Sequence, residues 1–201
     1  MLLILSDENL RKKNNRSDTI LINRVQQGDT SSFRGLVEKY KDVSFSLACS
    51  IVKDETLAED VLQDAFIKVF RNIKKFQGKS AFSTWLYRIV VNTCYDAIRK
   101  NKSLNNVELS EREYNISDFN SGYDSSLRNE RISIAREALK KLKPDESLVM
   151  RLYYLCELGM DEIKEITGFS ESKIKVTLHR GRQSLELVLE KMLGNEINYL
   201  L

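Results

Sequence analysis

The chain has 201 residues, 42% of them apolar, enough for one large domain or two small ones with a proper core. Its 32 Lys/Arg nearly balance 29 Asp/Glu, so overall charge says little, and a single proline with few glycines points to helix. Three distant cysteines and one histidine form no metal-ligand or disulfide framework, and no stretch approaches the ~20 apolar residues of a membrane span. The apolar run after Met1 is too short for a signal peptide, so a soluble, cytoplasmic chain with reduced thiols is expected.

Residues 1–17 read as a loose polar segment. A first helix is expected from about Asp18, its N-cap, with Ile20, Leu21 and Val25 on one face. Gly28-Asp29-Thr30 punctuates the pattern. Phe33, Leu36, Val37, Tyr40, Val43, Leu47 and Ile51 then recur at helical spacing. A third helix runs from about Asp54 to Ile73 on an apolar stripe of Leu57, Val61, Leu62, Ala65, Phe66, Val69 and Phe70. Its opposite face carries Asp60, Gln63, Asp64, Ile67, Lys68 and Arg71. Charged outer faces are usually just solvated. An isoleucine among acids and an amide suits a protein-docking surface instead, and the acids exclude direct contact with DNA.

A glycine-bearing loop over residues 74–80 leads into a basic helix over about 83–100. Between Arg71 and Lys102, eight Lys/Arg stand against one acid, Asp96. Phe76, Phe82, Trp85 and Tyr87 are interleaved with this charge. Aromatic faces stack unpaired bases and cations hold phosphate, a pairing suited to single-stranded DNA. Phe82 and Tyr87 fit the core better than a DNA surface, and Trp85 suits either. Trp85, Arg88, Asn92 and Arg99 share one stripe.

Residues 103–130 hold six acids, two arginines and few apolar side chains, the composition of an extended linker. Residues 131–193 return to helical periodicity, with Pro144 placed to start a helix. Within them Asp161–Arg180 has the shape of a helix-turn-helix. Ile163 and Ile166 belong to its first helix, Gly168 permits the turn, Ser170 caps the second helix, and Ile174 and Leu178 face inward. Ser172, Lys173, Lys175, Val176, His179, Arg180 and Arg182 are left facing outward, where a recognition helix meets base edges and phosphates. A plain helical hairpin with a solvated basic face is the alternative.

In this order the features resemble the sigma-70 family of bacterial RNA polymerase sigma factors, in its extracytoplasmic-function (ECF) group. Residues 18–102 are similar to region 2 and residues 131–193 to region 4. Leu57–Phe70 looks like region 2.2, Ser80–Asn92 like region 2.3, and Asn92–Lys100 like region 2.4. The resemblance implies an all-α protein of two small helical domains joined by a flexible acidic linker. It implies no enzymatic activity and no cofactor or metal. It implies a chain that directs core RNA polymerase to promoters by −10 and −35 recognition and DNA melting.

Under that resemblance Asp60, Gln63, Asp64 and Ile67 would dock on the β′ clamp helices. Phe76, Lys79, Ser80, Trp85, Arg88, Asn92 and Arg99 would hold and read the melted −10 strand. Ser172, Lys173, Lys175, Val176, His179, Arg180 and Arg182 would contact the −35 element. Leu152, Tyr153 and Leu155 would be shared between the core and the β flap. An anti-sigma factor is a further expected partner. Thr177 stands where the family commonly has arginine, and Lys164 where it commonly has a small residue.

Two other readings compete. A stand-alone helix-turn-helix regulator leaves the aromatic, basic segment without a task. A DNA-cutting enzyme could bind Mg²⁺ through Asp60 and Asp64, but no other ligand or nucleophile converges on them.

Overall fold

The computed structural model describes residues 16–104 and 134–194, with the side chains of residues 102–104 excepted. Among these residues there are eight α-helices and no strand: α1 (residues 16–26), α2 (Ser31–Val52), α3 (Glu55–Asn72), α4 (Phe82–Leu104), α5 (residues 134–140), α6 (Pro144–Met150), α7 (Met160–Thr167) and α8 (Glu171–Leu193). A 3₁₀ turn, Ile73–Lys75, follows α3, and a π-helical segment, Arg151–Leu155, follows α6. The proposed tail and linker fall mostly outside the described residues. Where they overlap the description, residues 16–17 and 103–104 are helical.

Local chemistry sets the boundaries. Asp29 accepts from the amides and hydroxyls of Ser31 and Ser32 and so closes the start of α2 two residues early. Those hydroxyls, before any other influence, hold its carboxyl down at about 2. Asp54 caps α3, taking the Leu57 amide at 2.8 Å, and Lys53 before it adopts the left-handed conformation that ends α2. Pro144 occupies the first turn of α6, where its missing amide proton costs nothing. Gly168 at φ 71° turns the chain between α7 and α8, and the Ser170 hydroxyl takes the Lys173 amide at 3.2 Å.

Asp18 corrects the expectation for α1. The helix already runs at residue 16, so Asp18 lies within it and is 2% exposed. A buried carboxylate needs partners, and it finds Lys39 at 2.6 Å and the Tyr40 hydroxyl at 2.5 Å. It therefore ties α1 to α2 instead of capping a terminus. Burial and then Asp18 push the Tyr40 phenol well above its ordinary range. Two apolar assignments also change: Ile20 and Phe70 are exposed, and Ile22 and Val25 supply the inner face of α1.

Helices α2, α3 and α4 pack mutually around Leu36, Leu47, Ala58, Val61, Ala65, Val69, Leu86, Val90 and Cys94. In the second unit α6, α7 and α8 enclose Leu148, Leu152, Ile163, Ile174 and Leu178. Gly181 lets α8 lie close on α6, since a Cβ there would stand 2.8 Å from Met150 Cγ. The two units meet along α4–α7 and α2–α6, and their cores form one cluster. Lys53 Nζ donates to the carbonyls of Lys140 (2.7 Å) and Leu142 (3.2 Å), and the buried Arg151 donates to Ser46 Oγ at 2.5 Å. Cys49, Cys94 and Cys156 are free thiols, each pushed up to about 12, chiefly by burial.

Candidate nucleic-acid interface and docking groove

The segment from the end of α3 to the first half of α4 forms one continuous surface. Gln26 of α1 donates from its amide to the carbonyls of Ile73 (2.8 Å) and Phe76 (3.1 Å), which pins the start of the loop. Gly78, at φ 68°, turns it. The half-buried Phe76 ring then lies 5.0 Å from that of Trp85 and 5.8 Å from that of Phe82, centroid to centroid. Phe82 and Tyr87 are buried, as their place in the pattern suggested, and Trp85 is half-buried. Trp85 both packs and presents a face.

That face opens on a cavity of about 380 Å³. Lys68, Asn72 and Lys75 line one side, and Trp85, Ile89, Asn92 and Thr93 the other. One flat indole ring, two amides and two ammonium groups around one opening make it able to receive a planar polar group carrying phosphate. Asn92 is exposed at its edge. Lys68 donates to Thr93 Oγ1 at 3.1 Å and lies 3.8 Å from Asp96, which also pairs with Arg99 at 2.5 Å.

Lys79 is exposed on the loop. Ser80 and Arg88 sit apart from the cavity, where both donate to Glu165 of α7, at 3.4 and 3.3 Å. Of the seven residues expected on the −10 strand, the structure brings Trp85 and Asn92 to one cavity with Phe76 against its wall, tethers Arg99, and turns Ser80 and Arg88 toward the second unit. Lys68, Asn72, Lys75 and Gln26 were missed. Lys68 and Asn72 lie four apart on α3, but only packing of α3 against α4 shows that they face Asn92.

The outer side of α3 forms a second feature. Phe33 and Val37 of α2 and Leu62, Phe66, Ile67 and Phe70 of α3 line an open groove of about 900 Å³, with Lys41, Gln63 and Arg71 among its polar lining residues. Phe33 meets Phe66 and Phe70 edge-on, at 6.4 and 5.0 Å. Ile67 is 40% exposed and Phe70 42%. Asp60, Gln63 and Asp64 are exposed on the same helix. Phe70 belongs to this groove and not to the core stripe, because α4 covers only the Val69 side.

In the helix-turn-helix, all seven outward residues, Ser172, Lys173, Lys175, Val176, His179, Arg180 and Arg182, are exposed on α8. Lys173 Nζ lies 3.3 Å from the Phe169 ring centre and 3.0 Å from Asp145. Lys175 pairs with Glu171 at 2.5 Å, and that ammonium keeps the Glu171 carboxyl below its ordinary range. Arg182 donates to the Tyr154 hydroxyl at 2.7 Å. Thr177 is 7% exposed, so at this position the side chain faces the interior. Lys164 points outward. Leu152 is buried, Tyr153 half-buried, and Tyr154 and Leu155 are exposed.

Sequence profiles match both units: that of Sigma-70 region 2 over residues 36–104 and that of Sigma-70, region 4 over residues 132–185. The ECF RNA polymerase sigma factor SigW of Bacillus subtilis (strain 168) is 32% identical over 179 residues, 85% of this chain and 96% of the relative. The ECF RNA polymerase sigma-E factor of Haemophilus influenzae is 30% identical over 185 residues, 88% of this chain and 97% of the relative. The fold is similar to that of CnrH, solved with the cytosolic domain of CnrY (TM-score 0.60, 22% identity, 87% of this chain and 98% of that one). It is also similar to that of the sigma factor RpoE from Bartonella quintana, solved with the anti-sigma factor NepR (TM-score 0.62, 21% identity, 80% and 98%).

Proposed function

Because this chain belongs to the sigma-70 family, in its ECF group, it directs RNA polymerase to promoters for transcription initiation, and we propose how its surfaces divide that task. The Phe33–Phe70 groove, with Gln63 and Ile67 in its wall and Asp60 and Asp64 on the same helix, docks on the core polymerase. Phe76 and Trp85 stack unpaired bases of the −10 strand, while Lys75 and Lys79 hold its backbone and Asn92 reads a base edge. The outer face of α8 enters the major groove at −35. Tyr154 and Leu155 give the second unit an apolar contact for the polymerase.

The observation that carries this reading is the cavity between α3 and α4, where an aromatic wall, amides and ammonium groups converge. A base leaving the duplex loses its stacking partner, and an aromatic platform returns ~1–3 kcal/mol per base. Binding thus drives strand separation, and the chain itself carries out no hydrolysis and needs no cofactor. No described helix is long and apolar enough to cross a membrane. The proposed place of work is the cytoplasm, with the polymerase. Two proteins of this fold are solved with CnrY and with the anti-sigma factor NepR, and a partner of that kind is proposed for this chain also.

Run-off transcription with core polymerase from a related bacterium, across a promoter library, tests the reading. The wild-type chain should select a defined set of start sites. Asn92→Ala should retain polymerase binding but lose discrimination at −10. No start-site selection by the wild-type chain would refute the reading, and unchanged −10 discrimination by Asn92→Ala would remove Asn92 from it.

A further inference from the structure

We propose that Glu165 is an internal stand-in for a strand phosphate, which masks part of the −10 surface while the chain is closed on itself. One carboxylate oxygen of Glu165 accepts both from Ser80 Oγ (3.4 Å) and from Arg88 Nη1 (3.3 Å). One turn earlier, Glu162 accepts from the Thr84 hydroxyl at 3.0 Å. Two acids of α7, one turn apart, thus engage three donors spaced four residues apart: Ser80 in the loop before α4, and Thr84 and Arg88 on its N-terminal half. An anionic oxygen held by a hydroxyl and a guanidinium is also how a phosphate would be held.

The placement is not incidental to a flexible surface. Thr84 is fully buried beneath α7, and Leu86 of α4 shares a core cluster with Leu158 and Ile163 of the second unit. Glu162 is itself fixed, since its second oxygen takes the Gly159 amide at 2.9 Å. Apolar packing therefore sets α7 against α4, and Glu165 finishes the contact at its solvent edge. There the Arg88–Glu165 pair remains about two-fifths exposed on each side (44% and 37%). Such a pair is weak and exchanges readily for a competing anion. A dense row of phosphates displaces it, whereas a stray solution anion does not hold the site.

The first helix of the helix-turn-helix thus acts as a cover for the strand-binding surface of the other unit. The chain in isolation grips single-stranded DNA less well than its surface allows, and engagement of promoter and polymerase must carry α7 away. This inference rests on the proposed −10 surface and on the expectation, implied by the family resemblance, that Ser80 and Arg88 belong to it.

The test is a double-mutant cycle on the full chain. The readout is fluorescence anisotropy of a labelled single-stranded DNA of mixed sequence at low salt. Glu165→Gln, which keeps shape and removes charge, should tighten binding about two- to fivefold, the range expected for freeing one exposed pair. In an Arg88→Ala background the same substitution should give no gain. An equal gain in both backgrounds would mark a general charge effect and overturn the proposal, as would no gain in either. Arg88→Ala and Trp85→Ala, each made alone, report on the strand site itself. If either weakens binding while Glu165→Gln does not strengthen it, the site stands and the cover is refuted. If neither does, the site and the cover fall together.

Discussion

The rings of Phe76 and Trp85 lie 5.0 Å apart at an interplanar angle of 41°, which joins the loop after α3 to the first turns of α4. Trp85 is thereby both a prop for the loop and a wall of the cavity. Trp85→Ala should lower stability by up to ~3 kcal/mol and also reduce melting of promoter DNA in the holoenzyme. Trp85→Phe, which keeps a ring, should restore most of both. Thermal unfolding and permanganate reactivity of −10 thymines check the two effects. Loss of stability with unaltered strand opening would reduce Trp85 to packing.

Ile67 projects into the Phe33–Phe70 groove from the solvent side, so its replacement tests docking without disturbing the core. Ile67→Glu should leave the melting temperature near that of the wild type and weaken binding to core polymerase at least tenfold, as expected of an apolar anchor at an interface centre. Competition against an unrelated sigma factor for limiting core enzyme would measure it.

On α8, Lys175 is held by Glu171 one turn away, a pair that the proposed contact with DNA would have to break. Lys175→Ala should weaken binding of a −35 duplex and lower the slope of log affinity against log salt by about one. Glu171→Gln should act in the opposite direction, because it releases the ammonium. Salt titrations of both variants decide whether this lysine meets a phosphate.

Lys53 lies where α2 meets α5 and α6, and its pKa is lowered to about 8 by burial and secondarily by Arg151. In the unfolded chain the amine titrates in the ordinary lysine range. Between these values the unfolded state holds more protons, so the contribution of Lys53 to stability rises with pH through that window and is smallest below about 8. Lys53→Met removes this dependence. Relative to the variant, the wild type should therefore gain stability between neutral pH and about pH 10, as denaturant unfolding at the two pH values would show.

Much of this was legible in the sequence because the informative features are local. Asp54, Pro144, Gly168 and Ser170 each act on the backbone within a few residues, and each lies at the boundary its chemistry predicts. The outward face of α8 followed from helical spacing once Ile174 and Leu178 were placed inside. What escaped depends on partners distant in sequence. Asp18 looks like a cap until Lys39 and Tyr40 are seen to claim it. Phe70 continues an apolar stripe, but α4 does not reach it, and it completes a groove with Phe33 instead. The capture of Ser80 and Arg88 by Glu165 spans more than 75 residues of chain, beyond any periodicity.

The three sulfhydryl groups carry a consequence for signalling. With each pKa near 12, the nucleophilic anion is almost absent at neutral pH, and peroxides or disulfides find little to attack. These thiols are therefore poorly suited to serve the polypeptide as its own sensor of peroxide.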